Sequence, residues 1–435
     1  MKKTIHSSSP FRIIIAGLGH VALGLIQLLE TQKEQLSNQM GRPINIVAVA
    51  ARDNKKKRMV DISPYPFFTD AEKMARETDY DALIELIGGA DGIAPAIWHI
   101  AIEKQKTIIT ANKALLAERA DEFISAIEKH NSQLYFEAAV MGGVPIIDAM
   151  KNALPSLMID NFYGILNGTC NYILSNMAKK NLSFAEVLQT AQHKGYAESD
   201  PSFDIDGIDA LHKLVILTML GFGILPDIKK IATYGIRDIN TIDIHYAALF
   251  NFSIKLFAIA KKESDGMVLS VEPILIEKNR IMAKVGDSLN AINIESKVRG
   301  PLLFIGHGAG GNATGSAVLA DIVMACHHQG KHILPFGRSI ATIKDNQLPI
   351  KQHGNDMARF YLRFSVTDKV GVLASFSSIL RDENISIEKL HQNDDHPVHI
   401  AIITHSTSRH AAERALAEIK KRDSLLEEPV ILKLL

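Results

Sequence analysis

Short apolar runs alternate with longer helical stretches along the first third of the chain. The apolar runs predict strands at residues 11–16, 44–51, 82–87, 107–110 and 133–136. Helical stretches lie between them, for example at residues 19–30, 94–103 and 115–130. Strands that are separated by helices predict a parallel sheet covered on both faces, which is the α/β arrangement.

The pattern changes after residue 137. Helices come first, at residues 169–179, 183–193 and 208–219, and strand-like segments follow at 254–260, 267–276 and 291–294. Helices and strands that are grouped in this way predict an α+β domain. A glycine-rich segment, 306–311, then opens one more helix at residues 313–324.

The last part of the chain predicts a separate small unit. Residues 331–356 are polar and contain prolines and glycines, so we expect a linker there and a self-contained core before it. From residue 359 the predicted order is strand, helix, strand, strand, helix, strand. This βαββαβ order is typical of a ferredoxin-like fold.

Composition narrows the class of protein. The chain has 435 residues, enough for two or three domains, and its 48 basic residues equal its 48 acidic ones. Net charge therefore attracts it neither to nucleic acid nor to a membrane surface, and no uncharged run reaches the ~20 residues of a membrane span. Its two cysteines are far apart and form no disulfide framework. We expect a cytoplasmic protein with no nucleic-acid partner and no membrane partner.

A glycine turn follows the first predicted strand and opens the first predicted helix. It contains Gly17, Gly19, His20 and Val21. Glycines let the backbone approach a pyrophosphate, and a helix N-terminus favours its negative charge. The turn therefore predicts a Rossmann-like dinucleotide-binding domain, although such turns also occur as packing devices.

The end of the second predicted strand bears on the choice of cofactor. Arg52 stands where an NAD-selective site usually has a carboxylate, and a guanidinium can pair with a 2′-phosphate. This favours NADP. Asp53 follows directly, so NAD stays the alternative.

Five carboxylates fall within twelve residues of the middle region, and a lysine follows them. The carboxylates are Glu198, Asp200, Asp204, Asp206 and Asp209, and the lysine is Lys213. Asp209 and Lys213 share one face of an apolar helix. They suit a substrate with a cationic group beside a lysine that moves a proton. On spacing alone, an acidic loop followed by a structural ion pair is an equal alternative.

Two other segments carry candidate chemistry. Residues 137–145 place one carboxylate, Glu137, among small residues whose carbonyls suit a hard cation; the alternative is a simple hinge. Cys170 is a candidate nucleophile, as in a thiol-dependent aldehyde dehydrogenase. No histidine base lies near it in sequence, and this disfavours that alternative.

Residues 191–213 resemble the signature of the homoserine dehydrogenases. The matching residues, in order, are Ala191, Gly195, the loop Ser199-Asp200-Pro201, Asp204, Gly207-Ile208-Asp209 and Lys213. The resemblance extends over nearly the whole chain. It implies a monofunctional NAD(P)-dependent enzyme that interconverts L-homoserine and L-aspartate 4-semialdehyde in threonine, methionine and isoleucine biosynthesis.

The resemblance also implies roles for individual residues. Lys213 would protonate the substrate carbonyl oxygen, and Lys113 would assist it. Glu198 and Asp209 would hold the substrate ammonium, while Asp204 would support Lys213. Further cofactor contacts are implied at Ile87, Lys113, Gly195 and Gly310, and a sodium ion is implied on Glu137, Val140, Gly142 and Val144.

Residues 357–435 resemble an ACT domain, a module that binds amino acids and regulates enzymes. The match rests on segments 368–373 and 384–387, and Val370 stands where the module usually has proline. The resemblance implies an amino-acid effector, with L-threonine as the first candidate. It also implies a homodimer through the sheet of the middle domain, or a homotetramer.

We therefore expect five successive segments. They are a dinucleotide-binding domain at 1–137, a substrate-binding and dimerisation domain at 138–306, a helix returning to the first domain at 307–330, a linker at 331–356 and the ACT domain at 357–435. A non-catalytic amino-acid sensor is the second alternative function. It would keep the ACT domain but lose the lysines, and both Lys113 and Lys213 are present.

Overall fold

The computed structural model describes residues 9–154, 158–351, 354, 357–393 and 396–435. Its strands are β1 Phe11–Ala16, β2 Ile44–Ala50, β3 Phe67–Phe68, β4 Ala82–Glu85, β5 Thr107–Thr110, β6 Leu134–Tyr135, β7 Ile159–Ile165, β8 Ala232–Thr233, β9 Phe252–Glu263, β10 Gly266–Glu277, β11 Leu289–Ser296, β12 Leu302–His307, β13 Met357–Ala358, β14 Phe360–Val366, β15 Ile387–Gln392, β16 Val398–Thr404, β17 Thr407–Ser408 and β18 Val430–Leu434. Its helices are α1 His20–Thr31, α2 Lys33–Met40, α3 Ala71–Glu77, α4 Ile93–Glu103, α5 Lys113–Glu118, α6 Ala120–Lys129, α7 Ile146–Asp148, α8 Gly168–Lys180, α9 Phe184–His193, α10 Ser202–Ile205, α11 Ile208–Phe222, α12 Thr241–Leu249, α13 Ile281–Lys284, α14 Gly311–His327, α15 Ile340–Asp345, α16 Val372–Asp382 and α17 Arg409–Ile419.

The chain forms two compact units, each built from separated stretches. The first unit contains Met1–Phe162, His212–Ile228 and Ile292–Leu348. The second unit contains Tyr163–Leu211, Lys229–Ala291 and Pro349–Leu435. The chain therefore passes from one unit to the other five times, after residues 162, 211, 228, 291 and 348, and three of these crossings lie inside β7, α11 and β11.

A parallel sheet forms the centre of the first unit, as the alternating pattern predicts. Its strand order is β3-β2-β1-β4-β5-β6, and every pairing in it is parallel. The central strands are apolar and buried because helices cover both faces. The carboxyl ends of these strands meet at one edge, where ligands bind in such sheets.

Helix α14 packs against α1 in the first unit. A Cβ atom on Gly24 would lie 2.5 Å from the carbonyl oxygen of Gly311, and one on Gly315 would lie 2.8 Å from the amide nitrogen of Leu25. Only glycine permits so close an approach of two backbones. The returning helix that the resemblance implies is therefore anchored by glycines on both helices.

The second unit joins the C-terminal module to the middle of the chain through one sheet. Its strand order is β9-β10-β18-β14-β16-β15, and β8 pairs with β10. The module has the predicted βαββαβ order in β14, α16, β15, β16, α17 and β18. Its final strand, β18, pairs in parallel with β10, with Ile274 opposite Lys433 and Leu275 opposite Leu434.

Two buried ion pairs reinforce this connection. Arg363 of β14 pairs with Asp243 of α12, with 2.6 Å between Nε and Oδ1, and both side chains are almost fully buried. Arg409 of α17 pairs with Glu272 of β10, and both of these side chains are also buried. The C-terminal module is therefore part of the second unit rather than a detachable appendage.

The segment predicted as a linker carries structure of its own. Helix α15 lies inside it and is capped by Ser339. Phe336, Ile340 and Ile343 are buried, and Ile350 forms an isolated bridge with Met267 of β10. The prolines and glycines therefore mark turns between short packed pieces. No helix in the described part of the chain is long and apolar enough to cross a membrane.

Candidate active site

The glycine turn after β1 leaves the N-terminus of α1 open. Gly17 has a φ of +95°, and a Cβ there would lie 2.6 Å from the carbonyl oxygen of Leu86. Gly19 is the N-cap of α1, and a Cβ there would meet no atom within 4 Å. His20 is exposed and Val21 partly exposed at the first turn. An open helix N-terminus that follows a close backbone approach suits a pyrophosphate.

Asp53 and Arg52, in the loop after β2, differ in the bonds that their side chains make. The Asp53 carboxylate accepts a hydrogen bond from the main-chain N–H of Lys55 at 2.8 Å, so it closes its own turn. Arg52 is exposed and makes no hydrogen bond or ion pair with any described residue. Arg52 is therefore the side chain of the two that is placed to meet a cofactor phosphate.

A buried network links the carboxyl ends of β4 and β5. The Glu85 carboxylate is fully buried and accepts hydrogen bonds from the N–H groups of Ile87 (2.8 Å) and Gly88 (2.9 Å). Its other oxygen accepts from the hydroxyl of Thr110 at 2.8 Å. That hydroxyl in turn accepts from the N–H of Asn112 at 2.9 Å. Two loops at the ligand-binding edge of the sheet are thereby fixed to each other.

Asn112 carries this network to Lys113. Its side-chain oxygen caps α5 by accepting from the N–H of Leu115, and its amide donates to the carbonyl of Gly89 at 2.8 Å. Lys113 is the first residue of α5 and is partly buried. The cap therefore sets the starting point of the helix that carries this predicted lysine. Ile87, also a predicted cofactor contact, is 43% exposed at the same edge.

A second contact of α5 leads to Lys213. Glu118, the last residue of α5, lies 3.2 Å from Nε2 of His212 on α11. His212 is buried and directly precedes Lys213, which is 7% exposed. Both lysines predicted to act in proton transfer therefore lie on helices that this histidine contact joins within the first unit.

One asparagine brings two of the predicted acids together in the second unit. The amide nitrogen of Asn167 donates to Oδ1 of Asp204 and to Oδ2 of Asp209, at 2.8 Å in each case. Its oxygen caps α8 by accepting from the N–H of Cys170 at 2.8 Å. Asn167 and Asp209 are buried. The motif at residues 191–213 does not include Asn167, and it does not give the distance between the two carboxylates.

The remaining acids of the cluster have other surroundings. Asp200 accepts a hydrogen bond from the N–H of Ser202 and closes a turn, and Asp206 pairs with Arg237. Glu198 is exposed, and its carboxylate makes no hydrogen bond or ion pair with the part of the chain that the structure describes. The structure therefore brings Asp204 and Asp209 together and leaves the predicted partner Glu198 outside their network.

The surroundings of Cys170 are not those of a nucleophile. The residue is fully buried, and its thiol donates a hydrogen bond to the carbonyl of Asp204 at 3.2 Å. A reactive cysteine needs access and a nearby positive charge or base. The thiol instead helps to hold the loop that carries Asp204.

The segment from Glu137 to Val144 is held by a buried carboxylate. The Glu137 side chain accepts hydrogen bonds from the N–H groups of Ile147 (3.0 Å) and Asp148 (2.7 Å). Burial raises the pKa of Glu137 to about 7. The N–H of Glu137 donates to Asp321, whose pKa burial raises well above its usual range. The Glu137 carboxylate is therefore committed to the main chain.

The carbonyl oxygens of this segment are the atoms that suit a cation. Those of Val140 and Gly142 accept no hydrogen bond from any described residue, whereas that of Val144 accepts one from the N–H of Ile146. No cluster of three or more His, Cys, Asp or Glu side chains suited to a metal occurs among the described residues. The segment therefore fits a hard cation that main-chain oxygens hold.

Two glycines predicted to approach the cofactor have open surroundings. Gly195 has a φ of +74° and Gly310 has a φ of +118°, and no atom lies within 4 Å of a Cβ built on either. Gly195 follows α9 in the second unit, and Gly310 is the N-cap of α14 in the first. Their backbones are therefore accessible to a ligand.

Comparison with known proteins gives the same assignment along the whole chain. The family model "Homoserine dehydrogenase, NAD binding domain" matches residues 17–137, "Homoserine dehydrogenase" matches 145–323 and "ACT domain" matches 360–423. The chain is 37% identical to the homoserine dehydrogenase of Neisseria gonorrhoeae, with 97% of each chain covered. It is 36% identical to that of Helicobacter pylori, with 97% of this chain and 98% of the relative covered.

Solved structures agree in fold over the same length. A homoserine dehydrogenase from Thiobacillus denitrificans superimposes with a TM-score of 0.91 at 35% identity, with 99% of each chain covered. One from S. aureus gives a TM-score of 0.75 at 28% identity, with 98% of this chain and 99% of that one covered. The chain therefore belongs to the homoserine dehydrogenase family of NAD(P)-dependent oxidoreductases that act on a CH–OH group, and it carries a C-terminal ACT domain.

Proposed function

We propose that the enzyme interconverts L-homoserine and L-aspartate 4-semialdehyde through Lys213, with Asp209 and Asp204 in supporting roles. The carrying observation is that Asn167 holds Asp204 beside Asp209, and Asp209 lies one helical turn before Lys213 on α11. Two carboxylates beside a lysine suit a substrate that has both an ammonium group and a reacting oxygen.

The bound nicotinamide supplies the hydride in the direction of reduction. Lys213 donates a proton to the carbonyl oxygen as that oxygen gains negative charge, and Lys113 adds positive charge nearby. Asp209 binds the substrate ammonium, with Glu198 as its second ligand, and Asp204 orients Lys213. Since Glu198 is exposed, it reaches the ammonium from the surface loop rather than from the buried network.

We propose NADP as the preferred cofactor. Arg52 is exposed and makes no hydrogen bond or ion pair with the described residues, whereas Asp53 closes its own turn. Gly17, Gly19, His20 and Val21 would hold the pyrophosphate at α1. Further cofactor contacts are proposed at Ile87, Lys113, Gly195 and Gly310.

A sodium ion is proposed on the segment that begins at Glu137. The carbonyls of Val140 and Gly142 would supply ligands, together with those of Glu137 and Val144. The ion would hold this segment in shape, because the Glu137 carboxylate already fixes its beginning to α7.

The ACT domain offers a place for an amino-acid effector. A cavity of about 480 Å³ lies where β14 leads into α16. The residues that line it include Val366, Asp368, Gly371, Ser377, Val398 and Ile400. We propose L-threonine as its first candidate ligand. A homodimer or homotetramer, the biosynthetic pathway and a cytoplasmic location stay predictions from the sequence.

An assay of aspartate semialdehyde reduction tests this function. The purified enzyme should oxidise NADPH faster than NADH when the semialdehyde is added, and should reduce NADP with L-homoserine. The variant Cys170→Ser should keep most of this activity, because a hydroxyl can also donate the hydrogen bond that the thiol gives to the carbonyl of Asp204. Loss of turnover on this substitution, with the fold intact, would favour the thiol-dependent alternative instead.

A further inference from the structure

We propose that Asn167 is a positioning residue that holds the carboxylates of Asp204 and Asp209 ready, at one fixed separation, for the substrate ammonium. This inference rests on the proposed function. Asn167 does not itself contact the reacting atoms in this account. It acts through the two acids, and the geometry of its amide carries the argument.

The amide of Asn167 has only one orientation that satisfies its neighbours. Its oxygen accepts from the N–H of Cys170, and its two N–H groups donate to Asp204 and Asp209. A flipped amide would aim its oxygen at two carboxylates and its NH₂ at a main-chain donor. Because every polar atom of the side chain is used, the amide is locked by both the helix and the acids.

The amide also counters the repulsion between the two acids. Both carboxylate oxygens lie 2.8 Å from the same nitrogen, so they are separated by at most twice that distance. Two carboxylates at so short a distance tend to share one proton. A shared proton removes one negative charge and so weakens the binding of an ammonium. Two N–H donors stabilise the charged form of each acid without adding a cation that would compete with the substrate.

Asn167 is distinguished from the neighbouring polar groups because its amide bonds to both carboxylates at once. Asp206 is next but one to Asp204, but it is paired with Arg237. Lys213 follows Asp209 by one turn and has its own role in proton transfer. Cys170 donates to the main-chain carbonyl of Asp204 and not to its carboxylate. Asn167 is therefore the residue that joins the two acids and the start of α8 in one network.

Two substitutions separate this role from helix capping. Asn167→Asp keeps the shape of the side chain and a good N-cap, but it places a third carboxylate where the NH₂ group was. Asn167→Ser keeps a cap and removes the amide without adding charge. A capping role predicts about equal activity for Asn, Asp and Ser, because these three side chains are comparable N-caps. A positioning role ranks them as Asn, then Ser, then Asp.

The experiment measures kcat, the KM values and the thermal midpoint for both variants with L-homoserine and NADP. We expect the KM for homoserine to rise by about 10- to 100-fold, most in Asn167→Asp, with the KM for NADP and the thermal midpoint close to the parent. The matched control is Asn240→Ser, the same change at the N-cap of α12, which should leave the KM for homoserine unchanged.

The outcomes are separable from those of the proposed function. If the parent enzyme does not oxidise homoserine, the proposed function fails and no role remains for Asn167. If the parent is active but Asn167→Asp matches it, the asparagine is only a helix cap. Equal losses in both variants, in step with a lower thermal midpoint, would also overturn the positioning role.

Discussion

Asn112 in the first unit and Asn167 in the second unit cap helices in the same way but hold different partners. Each side-chain oxygen accepts from a main-chain N–H three residues later. The amide of Asn112 donates to the main-chain carbonyl of Gly89, whereas that of Asn167 donates to two carboxylates. The first asparagine therefore fixes the path of a loop, and the second fixes the positions of charges.

The same contrast extends beyond the two caps. In the first unit, Glu85 uses its charge to hold the main-chain N–H groups of Ile87 and Gly88. In the second unit, buried charges face one another, as in the pair of Arg363 with Asp243. Substitutions in the network of Glu85 and Asn112 should thus act through the backbone that is proposed to meet the cofactor. Substitutions in the second unit should act through uncompensated charge.

Replacement of Lys213 should have the largest effect. Lys213→Ala removes the proposed proton donor, and loss of a positioned general acid typically costs roughly 10²–10⁴ in rate. We expect kcat to fall by about that much while the dissociation constant for NADPH stays the same. Steady-state kinetics and a cofactor titration measure the two quantities.

Lys213→Arg sharpens this result. Arginine keeps the positive charge but does not release a proton near neutral pH, so we expect kcat to stay low. Near-parental turnover in the arginine variant would show that charge alone is needed. Near-parental turnover in the alanine variant would make the lysine structural.

The next effect should be on stability, at the buried pair of the second unit. Arg363→Met leaves the Asp243 carboxylate buried with the hydroxyl of Tyr361, which lies 3.2 Å from it. Removal of one partner of a buried pair costs about 3–5 kcal/mol, so the free energy of unfolding should fall by that amount. Denaturation in urea measures it.

A double variant of the buried pair and a control at an exposed partner of Arg363 complete this comparison. Arg363→Met combined with Asp243→Asn should recover most of the loss, because no buried charge then remains. Glu427→Gln alters a partner of Arg363 that lies 3.6 Å away and is 54% exposed, so it should change stability by less than about 1 kcal/mol. A double variant as unstable as Arg363→Met would contradict the charge argument.

The smallest effect should come from Asn112→Ser. This change keeps the cap of α5 and removes one neutral hydrogen bond to Gly89, which is worth about 0.5–1.5 kcal/mol. We expect the KM for NADPH to rise by about 2- to 10-fold, with little change in the KM for homoserine. A shift in the homoserine constant alone would erase the distinction between the two asparagines.

Much of the fold was readable from the sequence because it follows local periodicity. The alternation of apolar and helical stretches predicts the parallel sheet, and the structure confirms it.

The single helix predicted at 115–130 is wrong, since the helix breaks at Arg119 between α5 and α6. Arg119 bonds to the carbonyl of Ala90 and to Glu122, and these tertiary contacts favour the break. Strand β7 was not predicted, because Asp160 and Asn161 interrupt its apolar pattern.

Only those residues of the candidate site that belong to a sequence motif could be predicted from the sequence. Asp204, Asp209 and Lys213 stand out by spacing, but Asn167 does not, because its bonds join residues 37 and 42 positions apart. The sequence also did not indicate the ion pairs that attach the C-terminal module, for the same reason. Arg363 sits at an ordinary polar position of an alternating strand, and its partner lies 120 residues earlier.

The pairing of β18 with β10 has a consequence for how the protein is made. One sheet neighbour of Ile274 and Leu275 is synthesised 159 residues after them, since they pair with Lys433 and Leu434. Until Lys433 and Leu434 have left the ribosome, the part of β10 at Ile274 and Leu275 presents an open edge to other nascent chains. Sheet contacts between such distant residues also fold slowly. Production of this enzyme should therefore respond to growth temperature and chaperone supply more through its last strand than through its first domain.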